Sequence, residues 1–128
     1  QGLQDELGLA VIMITHDLGV IAEIAQRVVV MYAGEIVEQG ESRSIFHRSK
    51  HPYTDGLLKS IPNLSAIEEH PESLYTIKGM VPSATEFPEG CHFNPRCEFC
   101  EERCKTDAPE LKLIKGSDEH LARCWLVD

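Results

Sequence analysis

Residues 9–14 run apolar without interruption, with no polar side chain among Ala10, Val11, Ile12, Met13 and Ile14. That pattern predicts a strand covered on both faces, as in the parallel sheet of an α/β domain. Six or so apolar residues cannot cross a bilayer, which needs about 20. After Asp17 the apolar period becomes three and four, through Leu18, Ile21, Ile24, Ala25 and Val28, the stripe of a helix lying on that sheet. Asp17 is the expected N-cap, its carboxylate accepting from free amides of the first turn. His16 then falls at the carboxyl end of a buried strand, where open α/β sheets bind their ligands. This makes it a candidate functional imidazole.

Upstream, Leu3 and Leu7 share one side of a predicted helix end, with Gly8 at the capping position. Downstream, residues 28–32 and 35–38 are β-rich runs separated by Ala33-Gly34, a predicted hairpin turn, and Gly40 is expected to end the second run. Helical spacing resumes over residues 42–48. His51-Pro52-Tyr53-Thr54 opens another helix, with Leu57, Leu58 and Ile61 as its expected buried face and Pro62 as its stop. Residues 63–90, which hold Pro71, Pro82 and Pro88, read as an extended connector with one strand at 74–77.

The formal net charge is −9, from 12 basic and 21 acidic residues, and no Lys/Arg run offsets it, which argues against a nucleic-acid surface. With 128 residues, 42% of them hydrophobic, the chain can hold one modest domain with a core. No signal-peptide pattern or lipidation box is present, so a soluble, cytosolic protein is the expectation. The five cysteines are an odd number, clustered near the end of the chain. In that compartment such clustering reads as a metal site rather than a disulfide framework. Four thiolates from a short loop and one distant return form a soft site that suits zinc or an iron-sulfur cluster and suits magnesium or calcium poorly. Its expected role is structural, because residues 87–128 contain few large apolar side chains. His92 and His120 are near enough in sequence to substitute as zinc ligands, but read first as surface residues. Arg96 and Arg123 read either as offsetting thiolate charge or as plain surface arginines.

The residues VIMITHDLGVIAEIAQRVVVMYAGEIVEQG resemble the end of the nucleotide-binding domain of ABC transporters, where a strand delivers a switch histidine and a helix and a short hairpin follow. The resemblance implies that His16 contacts the γ-phosphate of ATP and helps order the attacking water, a task suited to a ring nitrogen that can donate to a phosphate oxygen. It implies ATP and Mg2+ as cofactors of a full-length ATPase. Neither a GxxxxGK[ST] phosphate loop nor the family's signature sequence occurs here. The chain is therefore expected to be a fragment that alone neither binds ATP tightly nor hydrolyses it. The stretches MxxGxIVExG, HPYTxxLLxxIP and IxGxxPS are similar to those of the oligopeptide and dipeptide importers among the ABC ATPases. By that resemblance the hairpin is scaffold, and His51 and Tyr53 are structural.

Those importer ATPases carry a GCxFxxRC box, a further cysteine after a short polar stretch and a final cysteine close to the terminus, which some members use to hold a [4Fe-4S] cluster. The resemblance places the metal ligands at Cys91, Cys97, Cys104 and Cys124. Cys100 departs from the pattern, either as a buried or free thiol or as a substitute for Cys97 or Cys104. Zn2+ is the alternative metal.

The expected fold is α/β: residues 1–62 as the incomplete tail of a nucleotide-binding domain, 63–90 as connector, and 91–128 as a small irregular cysteine-rich region. The expected function is that of the C-terminal part of the ATP-binding subunit of an oligopeptide or dipeptide importer, held at the cytoplasmic face of the cell membrane. Its implied partners are a second ATPase subunit, identical or homologous, and transmembrane permease subunits. The sheet edges of a truncated domain also favour self-association. The transported substrate, whether oligopeptide, dipeptide, nickel or another, stays open. The competing reading is a free-standing four-cysteine metal-binding interaction module without an ATPase role.

Overall fold

The computed structural model describes residues 6–61 and 75–127. Helix α1 (Leu18–Ile24) leads into β1 (Arg27–Tyr32) and β2 (Glu35–Glu41), followed by α2 (Ser42–Arg48) and α3 (Pro52–Lys59). The later part holds a 3-10 turn at Asn94–Arg96, α4 (Glu102–Thr106), β3 (Lys112–Leu113), β4 (Leu121–Ala122) and a second 3-10 turn at Trp125–Val127. The strands form one antiparallel sheet in the order β1-β2-β4-β3. The architecture is thus mixed α/β, and the sheet joins the hairpin to the cysteine region. Among the described residues no helix is long and apolar enough to cross a membrane.

Local chemistry accounts for several of these elements. Asp17 accepts from the Val20 amide at 3.1 Å and caps α1 as its position predicts. Ala33 and Gly34 have φ of +46° and +82° between the paired Tyr32 and Glu35. Both turn residues therefore have the positive φ that matches the twist of a tight hairpin. His51 caps α3 by accepting from the Tyr53 amide on Nδ1 at 3.1 Å, and Pro52, which has no amide to satisfy, occupies the first turn.

Four expectations need correction. Residues 10–14 are not a buried strand: they belong to no regular element, and Ile12 and Ile14 are 92% and 97% exposed. A strand needs a neighbouring ladder for its amides and carbonyls, and no described strand pairs with this run. Gly40 does not end β2 but lies inside it, paired with Val28. A Cβ there would come within 3.2 Å of the His120 ring, so the glycine makes room for that side chain. On α3 the fully buried positions are Thr54 and Gly56, not Leu57, Leu58 and Ile61, because Ile77 packs directly over the bare Gly56 backbone. Residues 75–77 belong to no regular element; Leu74, Pro62, Pro71 and residues 1–5 of the expected helix end lie outside the described residues.

The core is small and aromatic. Tyr32, Val37 and Phe93 are its buried centre, with Tyr53, Ile77, Cys91 and Cys97 packed against it. Phe93 meets Tyr32 edge-to-face at 5.1 Å and lies 5.5 Å from the Tyr53 ring, so the cysteine loop plugs into the gap between the hairpin and α3. Beside this cluster lies a polar knot. Glu38, fully buried in β2, accepts from the Lys50 amide at 2.7 Å, from the His51 amide at 2.9 Å and from His120 Nε2 at 2.6 Å. His120 is therefore a buried anchor rather than the surface residue its sequence context suggests. Replacing Glu38 by Ala strands three donors, two of them on the buried His51 and His120, and is expected to lower stability by about 3–5 kcal/mol. Urea denaturation of the Glu38→Ala and Glu38→Gln variants checks this, with Gln, which keeps one acceptor oxygen, expected to lose less.

Candidate functional site

Cys91, Cys97, Cys104 and Cys124 line one cavity of about 20 Å³, whose walls include His51, Phe93, Pro109 and Trp125 and whose rim includes the exposed Phe99 and Leu126. Cys100 is absent from that lining, as is His16. The chain brings the four thiols together by two routes. Along the loop, the Cys91 amide donates to the Cys104 carbonyl at 2.9 Å, and turn bonds from Asn94 to Cys91, Cys97 to Asn94 and Cys100 to Cys97 wind the segment onto α4. Gly90 permits this approach: it has a φ of +69°, and a Cβ there would collide with the Cys104 carbonyl. Cys124 arrives from the sheet. It follows Arg123, whose amide donates to the Val37 carbonyl at 2.8 Å and whose guanidinium donates to the carbonyls of Ile36 and Pro109 at 2.9 and 3.1 Å.

Neither arginine beside the cysteines points its charge at a thiol in these bonds. Arg96 donates to the carbonyls of Lys78 and Ile77 and to the Tyr32 hydroxyl, tying residues 77–79 to the core. His92 stacks on Phe87 at 4.7 Å and its Nδ1 donates to the Ala33 carbonyl at 3.0 Å, so this half-buried ring braces the hairpin turn.

Burial raises the Cys91, Cys97 and Cys124 thiols above their ordinary range, Cys97 to about 11, and the other thiols nearby push in the same direction. At neutral pH these three sulfurs carry protons, and a soft cation binding there must expel them. Among the described residues no three His, Cys, Asp or Glu side chains converge closely enough to hold a single metal ion.

His16 is exposed just before α1, between Thr15, whose Oγ1 accepts from the Asp17 amide at 3.0 Å, and the capping Asp17. It stands apart from the cysteine cavity. The cavity wall also contains His51, for which the sequence implies a structural role, and Phe93, to which it assigns none. Their only sequence signal is their place in the HPYT and GCxF stretches.

The unit defined so far is a mixed α/β segment ending in a thiol-lined cavity. A family model described as "Oligopeptide/dipeptide transporter, C-terminal region" matches residues 37–104, and the chain belongs to this family. It is 48% identical over 127 residues to a putative peptide import ATP-binding protein of Brucella ovis, covering 97% of this chain and 37% of that protein. It is 47% identical over 124 residues to the oligopeptide transport ATP-binding protein OppD of Haemophilus influenzae, covering 97% of this chain and 36% of the relative. With the dipeptide transport ATP-binding protein DppD of Escherichia coli it shares 38% identity over 122 residues, 95% of this chain and 36% of the relative. The chain thus spans little more than a third of the length of these relatives.

Burial lowers the His51 pKa from 6.5 to about 4. Between those values the unfolded chain takes up a proton that the folded chain refuses, so stability falls as pH drops from about 6.5 towards 4, by about 3 kcal/mol in all. Denaturation midpoints measured across this window are expected to show that loss. In His51→Asn, which keeps a capping acceptor but does not titrate, the pH dependence is expected to flatten by a similar amount.

Proposed function

We infer that this chain is the C-terminal part of the ATP-hydrolysing subunit of an ABC importer for oligopeptides or dipeptides. The observation that carries the reading is the family match over residues 37–104, joined to 38–48% identity with proteins named for peptide import, oligopeptide transport and dipeptide transport. In the intact subunit, residues 1–62 complete a nucleotide-binding domain whose remaining parts supply the phosphate loop and the Mg2+ site. Two such subunits sandwich ATP and act on transmembrane permease partners at the cytoplasmic face of the membrane. His16 donates to the γ-phosphate and orients the attacking water. Its place directly before a capped helix and its exposure support that role.

The second part of the reading concerns Cys91, Cys97, Cys104 and Cys124, which would hold a [4Fe-4S] cluster. That all four line one cavity supports it, although a space of about 20 Å³, room for about one water, has to widen to take a cluster. A single zinc ion would draw its sulfurs to about 2.3 Å from one point. A cluster binds each thiolate at a different iron, so its four sulfurs need not meet at one point. When bound, the cluster supplies a cross-link between the loop at 91–104 and the segment after β4. Phe93 and Arg123 set the two sides of that cross-link, and Pro109 and Trp125 help wall it.

Two measurements on the full-length subunit test the halves separately. His16→Ala is expected to bind nucleotide nearly as well as the native protein while its hydrolysis rate falls by about 100-fold; undiminished turnover would remove the assignment. After anaerobic purification, the native protein is expected to be brown, with iron and sulfide in equal amounts, and Cys124→Ser to lose most of both. Colourless protein holding stoichiometric zinc would exclude the cluster.

A further inference from the structure

His51 has one polar atom left over. Its amide donates to Glu38 at 2.9 Å, its carbonyl accepts from the Asp55 amide at 3.1 Å, and its Nδ1 accepts from the Tyr53 amide at 3.1 Å. A ring nitrogen that accepts carries no hydrogen, so the hydrogen of this imidazole is on Nε2. No hydrogen bond among the described residues engages that donor. The residue is 1% exposed, so bulk water is a poor substitute.

The ring forms part of the wall of the cysteine cavity, and Phe93 packs against it with ring centroids 5.7 Å apart. The other side-chain N–H groups of that wall are committed elsewhere. Asn94 Nδ2 donates to the carbonyls of Glu89 and Cys104 at 2.8 and 3.3 Å, and Trp125 Nε1 donates to the Asp107 carbonyl at 3.1 Å. Apart from the four cysteines, the remaining lining is Pro52, Phe93, Phe99, Pro109 and Leu126, none with a polar side-chain atom. His51 Nε2 is therefore the one side-chain nitrogen of the lining whose hydrogen is uncommitted, in a wall whose other functional groups are sulfurs.

We propose that His51 is a positioning residue of the cysteine site, donating its Nε2 hydrogen to a cavity sulfur when Cys91, Cys97, Cys104 and Cys124 hold a cluster. The role rests on the cluster reading above. A hydrogen bond to an anionic sulfur among apolar walls is charge-assisted, and it strengthens as negative charge grows. It therefore favours the reduced cluster over the oxidised one and raises the reduction potential. It also ties the cluster to the residue that starts α3 and donates to the buried Glu38 carboxylate.

The test uses the full-length subunit, loaded anaerobically with iron and sulfide, with two variants that divide the imidazole between them. His51→Asn keeps an acceptor where Nδ1 accepts and removes the distal donor, whereas His51→Gln carries its amide nitrogen out to about the reach of Nε2. In an EPR-monitored reductive titration, His51→Asn is expected to be about tenfold harder to reduce, about 59 mV for a one-electron couple, and His51→Gln to recover most of that shift. With 15N-labelled histidine, pulsed EPR of the reduced native protein is expected to show a weak nitrogen coupling that both variants lack. A native protein without that coupling, an unshifted His51→Asn, or a His51→Gln shifted as far as His51→Asn overturns the proposal. So does a native protein that loads while neither variant does, since a structural role then suffices. A native protein that takes up no iron and sulfide overturns the cluster reading and this role with it.

Discussion

The fully buried carboxylate of Glu38 is the constraint on which the rest of this structure depends. A charge removed from water is tolerated only when its oxygens are satisfied, and Glu38 is satisfied by three donors from two distant segments. The Lys50 and His51 amides fix where α3 begins. His120, 82 residues further along the chain, fixes where β4 meets β2, since Glu38 pairs with Ala122 and Gln39 with Leu121. Gly40 belongs to the same arrangement, because a Cβ there would press on the imidazole at 3.2 Å. A strand of two residues such as β4 has little independent stability; its side-chain anchor determines where it docks.

The thiol cavity inherits its geometry from that docking. Cys124 lies two residues beyond β4, and Arg123 between them grips the backbone of β2 and Pro109. The opposite wall is set by Phe93, driven into an aromatic cluster with Tyr32 and Tyr53, and by Gly90, which lets the loop lie against α4. Four cysteines from a loop and a distant return thus line one cavity because hydrophobic and polar anchors act on both sides of the approach. This is how scaffold, rather than loop chance, sets which side chains share a space.

Much of the first half was legible in the residues. The cap at Asp17, the positive-φ turn at Ala33-Gly34, the helix at Ser42–Arg48 and the start of α3 at Pro52 all follow from local rules, and local rules act over a few residues. The run at 10–14 shows the opposite case. Its composition is that of a doubly covered strand, yet a strand is made by its neighbours, and the exposed Ile12 and Ile14 have no ladder beside them. The face of α3 was misread for a related reason: Gly56 is buried by Ile77, a residue from a connector whose path periodicity does not reveal.

What the sequence determined alone was the set of short-range elements, the family carried by its motifs, and the clustering of soft ligands near the end of the chain, because each is written in neighbouring residue types. Only the tertiary structure decided that Glu38, His51 and His120 form one buried knot, that Arg96 and Arg123 bind carbonyls rather than thiols, and that four cysteines line one cavity while Cys100 stays outside it. The physical reason is range. Pairings across tens of residues are chosen by which buried groups can satisfy one another, and no window of sequence contains both partners.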